Sequence, residues 1–190
     1  YGYFRKFSGL FNSARLVVDM LNKNGITAAI EIARDNNDID RLVTKHKPKF
    51  CIIEAYWVVP EKFQILTKLH PDITWIIRIH SEIPFWSTEG VAMDWSLRYL
   101  DYPNVMLAPN SDRLYKDLQI VLSVKYDENT IQDRVIYLPN YYPADKKSTN
   151  EPGDRRVLNV GCFGSIRPYK NQLIQAVASI AYAKKTNRRL

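Results

Sequence analysis

The stretch "ITWIIRIH" (73–80) and the earlier "KFCIIEAYW" (49–57) are nearly continuous apolar runs, each too short for a helix of ordinary length. A strand with one solvated face alternates apolar and polar residues. A strand covered on both faces, as in a parallel sheet, does not. The two runs therefore predict neighbouring buried strands of an α/β sheet. Between them, "PEKFQILTKLHP" (60–71) reads as a helix opened by Pro60 and stopped before Pro71.

Working outward, the alternation continues. "NSARLVVDMLNKNG" (12–25) puts Ala14, Val17, Val18 and Leu21 on one helical face, with Asn12 or Ser13 to cap it and Gly25 to end it. "ITAAIEIA" (26–33) predicts a strand, and "NDIDRLVTKHKP" (37–48) a short helix with Ile39, Leu42 and Val43 inward. "TEGVAMDWSLRYL" (88–100) predicts a helix capped by Thr88, "NVMLAPN" (104–110) a strand and "SDRLYKDLQIVL" (111–122) a capped helix. "DRVIYLPN" (133–140) predicts a last strand. Strands and helices in turn predict a Rossmann-like, doubly wound parallel sheet over 1–143.

"ADKKSTNEPGD" (144–154) carries no apolar period and has the composition of a linker. After it a strand and a helix begin afresh over 155–190. One β–α pair cannot bury its own apolar faces, so this unit is expected to be the start of a second Rossmann-like domain that continues past Leu190. The chain opens on Tyr1, not Met, and a first strand is expected before the loop at 6–15.

The 190 residues carry a net charge of +7, with 46% hydrophobic and 25% charged residues, a globular composition. The basic residues are scattered, which fits a solvated surface. No aromatic-plus-basic platform for a single strand of nucleic acid is legible, so nucleic acid is not the expected partner. Cys51 and Cys162 each lie in an apolar run, predicting buried reduced thiols and a cytoplasmic setting, peripheral to a membrane at most. No run reaches the ~18 apolar residues of a membrane span.

Ligands of open α/β sheets bind beyond the carboxyl ends of the strands. Four residues fall there or in the equivalent loops. Gly9, in "KFSGLFNSAR" (6–15), precedes a helix N-terminus and permits close backbone approach, although G-x-G-x-x-G is absent. Glu54 and His80 end buried strands, and Asn140 ends "VIYLPN". A satisfied ion pair for Glu54 and a structural role for His80 are equally open. His46 and His70 read as surface residues. The acids of "DID" (38–40) complement a helix dipole, so no metal site is expected. "GCFGSIRPYKNQ" (161–172) places Arg167 and Lys170 where a helix begins, which calls for an anion between them.

The order of these pieces resembles the GT-B-fold glycosyltransferases of the retaining, family-four-like type. It is sharpest in "VLNVGCFGSIRPYKNQLIQAVASI" (157–180), where that family opens its second domain with a strand, a glycine loop, and an Arg and a Lys before a helix. "PN" (139–140) likewise recurs at the end of the family's first domain. The resemblance implies sugar transfer from a nucleotide-diphosphate sugar to an acceptor (glycan, lipid or protein), with no metal and no cofactor. Arg167 and Lys170 would hold the donor diphosphate and Gly9 would approach it. His80 would lie near the transferred sugar and Asn140 would shape the hinge. A non-catalytic derivative of the fold, serving as a structural or carbohydrate-binding part of a larger assembly, is the other reading.

Overall fold

The computed structural model describes residues 9–144, 154, 156–162 and 170–190. The expected first strand and Arg167 lie outside them. The chain divides into two compact units, Tyr1–Pro143 and Ala144–Leu190.

The first unit is α/β. Its elements are α1 (Gly9–Lys23), α2 (Asp38–His46), β1 (Phe50–Glu54), a 3-10 turn (Pro60–Lys62), α3 (Phe63–Leu69), β2 (Thr74–Ile79), α4 (Ile83–Trp86), α5 (Ala92–Tyr99), β3 (Val105–Pro109), α6 (Asp112–Leu122) and α7 (Glu128–Arg134). The strands form a parallel sheet in the order β1-β2-β3. Residues 135–138 continue beside β3: Val135 bridges Leu107, and Ile136 and Leu138 donate to the carbonyls of Leu107 and Pro109 (2.9 and 3.0 Å).

Register assigns the two faces. Trp75, Ile77 and Ile79 on β2 share a face with Val105 and Leu107 on β3, and all five are fully buried among Phe63, Leu66, Tyr99, Leu114 and Leu118. The helices that join consecutive neighbours pack on this face, through Phe63 and Leu66 of α3 and Tyr99 of α5, and the core gathers there. The aromatic rings interlock, with Phe63 edge-on to Trp75 (5.7 Å between centroids) and to Tyr99 (5.8 Å). The opposite face carries Phe50, Ile52 and Glu54 of β1, Ile76 and Arg78 of β2, and Ala108 of β3. Phe50 and Ile52 remain 55% and 40% exposed, so β1 is not covered on both faces as its apolar run predicts.

Several boundaries differ from expectation, each for a local reason. α1 begins at Gly9, so Asn12 and Ser13 lie inside the helix and do not cap it. It ends as predicted: Gly25 has φ +78°, and Gly25 N and Ile26 N donate to the carbonyls of Asn22 and Leu21 (3.1 and 3.0 Å), a left-handed cap that favours glycine. Residues 26–33 form no strand. The Asn22 side-chain amide pairs with both backbone groups of Ala28 (3.0 Å each), and Ile26 and Ile32 stay exposed. Gly90, at φ +58°, separates Thr88 from α5, and Thr88 Oγ1 donates to the Phe85 carbonyl (2.7 Å) and caps nothing. The expected last strand loses its first two residues to α7, which is capped by Asp127 through Thr130 N (2.9 Å). Ser111 caps α6 as expected, accepting from Leu114 N (3.1 Å).

Arg134 closes the far end of the sheet. Its guanidinium donates to the carbonyls of Leu100 (2.8 Å), Tyr102 and Val105 (3.0 Å from Nε), holding the turn that leads into β3.

In the second unit α8 spans Gln172–Lys185 behind Asn171, which has φ 54°. The strand expected at 157–160 is reduced to one bridge, Val157 with Arg189 of the same unit. Among the described residues of this unit that bridge is the one strand pairing, and Leu173, Ile174 and Val177 are exposed. Among the described residues no helix is long and apolar enough to cross a membrane.

Both cysteines are free. Cys51 is half-buried and desolvation pushes its thiol up to about 11, whereas Cys162 is exposed, against the expectation that it would be buried. Iodoacetamide at pH 8 is expected to alkylate Cys162 rapidly and Cys51 only after unfolding, because the thiolate is the nucleophile. Equal rates in the native chain would contradict this packing. Arg134→Met is expected to cost about 2 kcal/mol or more in urea unfolding, since three carbonyls lose a charged donor. An unchanged midpoint would show that the clamp is idle.

Candidate active site

β1 and β2 end at the same level because they are parallel and in register, with Glu54 opposite Arg78. Residues two apart on a strand share a face, so His80 follows Arg78 onto the face away from the aromatic core. The loop after β3 brings Asn110 alongside, and the segment after Val135 brings Pro139 and Asn140. α1 contributes Ser13, one turn beyond Gly9.

Arg78 is the centre of this edge and is 1% exposed. From Nη1 it donates to Glu54 Oε1 (3.2 Å) and Ser13 Oγ (3.4 Å). From Nη2 it donates to Asn140 Oδ1 (2.8 Å) and the Pro139 carbonyl (3.2 Å). Removing a guanidinium from water costs several kcal/mol, which a carboxylate and several acceptors offset. Ser13 also donates to Asn140 Oδ1 (3.4 Å).

The second Glu54 oxygen, Oε2, lies 2.5 Å from His80 Nε2. Asn110 Nδ2 approaches His80 Nδ1 at 3.4 Å. The His80 and Glu54 side chains keep 14% and 21% of their surface, so the pair borders solvent and Arg78 does not. Next along, Glu82 Oε1 accepts from Ser111 Oγ (2.5 Å). Tyr56 backs the site from the core side, with its hydroxyl against Ser96 Oγ (2.7 Å). Desolvation pushes its phenol far above the ordinary range, so it does not exchange protons near neutrality.

The backbone at the end of β1 is unusual. Ala55 has φ 70°, a left-handed conformation that costs a non-glycine residue roughly 1 kcal/mol. It is held there by a bond from Ala55 N to the Arg78 carbonyl (2.8 Å) and by one from Trp57 N to its own carbonyl (3.0 Å). The turn leaves Trp57 68% exposed.

Of the residues predicted from sequence, Glu54, His80 and Asn140 meet here, linked through Arg78. Glu54 takes the satisfied-pair form, with partners on both oxygens. Asn140 is bound to Arg78 within the first unit, which ties it to the sheet. Gly9 begins α1 with open space around the position a Cβ would take, so nothing among the described residues demands glycine there. His46 is a surface residue as expected, paired with Glu31 (2.6 Å); His70 is more enclosed than expected and bonds Asp40 (2.7 Å) beside Trp75. Asp38 is occupied by Arg41 (2.9 Å) and Arg34 N (3.0 Å). Lys170, in the second unit, is exposed before α8, and its carbonyl accepts from Gln175 (2.8 Å).

Arg78, Ser13, Asn110 and Trp57 are the site residues that sequence reasoning missed. Arg78 had a readable signal: a charge in "IIRIH" must find acceptors, and a strand-end carboxylate is the natural one. Comparison with family models, with curated proteins and with solved structures finds no match to this chain.

Arg78→Met is expected to lower stability by about 3 kcal/mol in urea unfolding, because it strands Glu54 and the 139–140 segment together. Arg78→Lys is expected to recover less than half, since a point charge cannot reach acceptors on both sides of a planar fork. A wild-type midpoint in either variant would show that Arg78 does not organise this edge.

Proposed function

We propose that the chain is the acceptor-side unit, and the opening of the donor-side unit, of a metal-independent glycosyltransferase. On this reading the first unit is a doubly wound GT-B N-terminal domain. The observation that carries the proposal is the meeting of Glu54, His80 and Asn110 at the carboxyl edge of a parallel sheet, on its less packed face. Open α/β folds bind their ligands at such an edge. The exposed indole of Trp57, on the turn that leaves β1, is a surface suited to a sugar ring.

The donor is a nucleotide-diphosphate sugar. Arg167 and Lys170 neutralise its diphosphate; Lys170 directly precedes α8, and backbone N–H groups at a helix start favour phosphate. They act as the leaving group gains charge, in place of a metal ion. His80 faces the reacting sugar. The acceptor is a glycan, lipid or protein hydroxyl.

One observation favours a second reading. Glu54 is fully occupied by Arg78 and His80, which also suits a non-catalytic, carbohydrate-binding derivative in a larger assembly. Turnover separates the two.

With a panel of uridine- and guanosine-diphosphate hexoses, Arg167→Ala and Lys170→Ala are each expected to lower kcat on the order of a hundredfold. Melting temperatures should stay within about a degree or two if the two cations serve the donor and not the fold. Wild-type rates in both variants would end this assignment. Donor binding without any turnover would favour the non-catalytic derivative.

A further inference from the structure

Trp57 is the most exposed tryptophan of the chain, yet the residues around it are firmly held. Tyr56 sets its ring 5.9 Å from Trp86 and 6.2 Å from Tyr99, with its hydroxyl on Ser96 (2.7 Å). Val58 is buried, and its carbonyl accepts from the Tyr99 hydroxyl (2.6 Å). Ala55 is kept left-handed by its bond to the Arg78 carbonyl. Strained backbone that its surroundings hold in place gathers at ligand clamps. Here the anchors fix one exposed indole.

That indole stands close to the polar groups of the carboxyl edge. Trp57 is three residues past Glu54, so their Cα atoms lie within about 11 Å, the span of a short saccharide. Tyr56 meets Trp86 of α4, which the chain reaches directly from His80, so the turn and the exit of β2 are neighbours. Glu54 Oε2, 2.5 Å from His80 Nε2, belongs to a carboxylate already bound to a buried guanidinium and can only accept. Nε2 therefore carries the proton, and Nδ1 holds a lone pair beside Asn110 Nδ2 (3.4 Å). That contact is long, and a hydroxyl can replace it. Asn110 Oδ1 has no partner among the described residues.

An aromatic face beside a few convergent polar groups is the make-up of a small-ligand site. A sugar ring suits both halves. Its C–H face lies on an indole, and its hydroxyls donate and accept. A lipid chain or a protein partner calls for apolar surface on the order of several hundred Å². In this turn only Val59 adds to the indole.

We propose that the first unit by itself binds a saccharide, with one ring stacked on Trp57 and its hydroxyls on His80 Nδ1 and Asn110. This rests on the sugar-transfer reading above, under which the saccharide is the acceptor: of glycan, lipid and protein, the acceptor is a glycan. Such binding is separate from the chemistry at the anomeric carbon and asks nothing of the second unit.

The test needs no donor. The full chain is titrated with gluco-, manno- and galacto-configured tetrasaccharides, by calorimetry and by acrylamide quenching of tryptophan emission. The other tryptophans are buried or half-buried, so quenching reads Trp57 first. At least one saccharide is expected to bind and to shield the emission. Trp57→Ala should weaken that binding about tenfold, and Trp57→Phe less, because a smaller ring still stacks. Asn110→Ala should weaken it roughly fivefold. Ala55→Gly relieves the left-handed backbone, so the urea midpoint should hold or rise while binding weakens severalfold.

An unchanged affinity in Trp57→Ala, or no binding across the panel, would overturn the site. Turnover of the donor panel with a lipid or peptide hydroxyl would then leave sugar transfer standing without it. Saccharide binding that depends on Trp57, with no turnover of any donor, would keep the site and remove sugar transfer.

Discussion

A guanidinium inside an apolar sheet must be met by acceptors from elsewhere in the chain, and much of the first unit's carboxyl edge depends on how Arg78 is met. Its acceptors come from the end of β1, from the first turns of α1, and from residues 139–140 after the sheet. Those segments are far apart in sequence. One side chain thus draws together the beginning and the end of the unit. It also orients Glu54, whose remaining oxygen sets the imidazole of His80. The ionic cluster is both a tertiary constraint and the scaffold of the candidate site.

The two faces of the sheet divide the labour. Sequential strand order places the crossover helices against Trp75, Ile77, Ile79, Val105 and Leu107, and this face holds the aromatic core. The other face is less filled, and its apolar row ends in Glu54, Arg78 and His80. Burial protects the first face from change. Partial solvation of the second leaves groups able to meet a ligand. The left-handed Ala55 belongs to the same arrangement: its N–H prolongs the ladder by one bond to the Arg78 carbonyl before the chain turns away and presents Trp57.

Much of this was legible in the residues. β1, β2 and β3 announced themselves as apolar runs, Ser111 as a cap and Gly25 as a stop, because each is a local rule obeyed locally. Residues 26–33 form no strand; the Asn22 side-chain amide takes both backbone groups of Ala28 instead, a contact that the apolar pattern does not reveal. The end of the unit was misread because Asp127 capping is a short signal, masked by the apolar "VIY" behind it. Glu54 and His80 could be placed at strand ends by counting. Their contact could not, since it depends on parallel register and on Arg78. Cys162 lies in an apolar run yet is exposed: among the described residues, the strand expected before it is reduced to the single bridge of Val157 with Arg189.

The central claim is that the Glu54 carboxylate, fixed by Arg78, holds the Nε2 proton of His80 and leaves Nδ1 unprotonated beside Asn110. Proton–nitrogen NMR of the native chain labelled in its histidines reads this directly. The account predicts a slowly exchanging, far-downfield Nε2 proton for His80 near neutral pH, a lone-pair-type Nδ1, and loss of the downfield signal in Glu54→Gln. A His80 protonated on Nδ1, or one whose Nε2 proton is indifferent to Glu54→Gln, would contradict it.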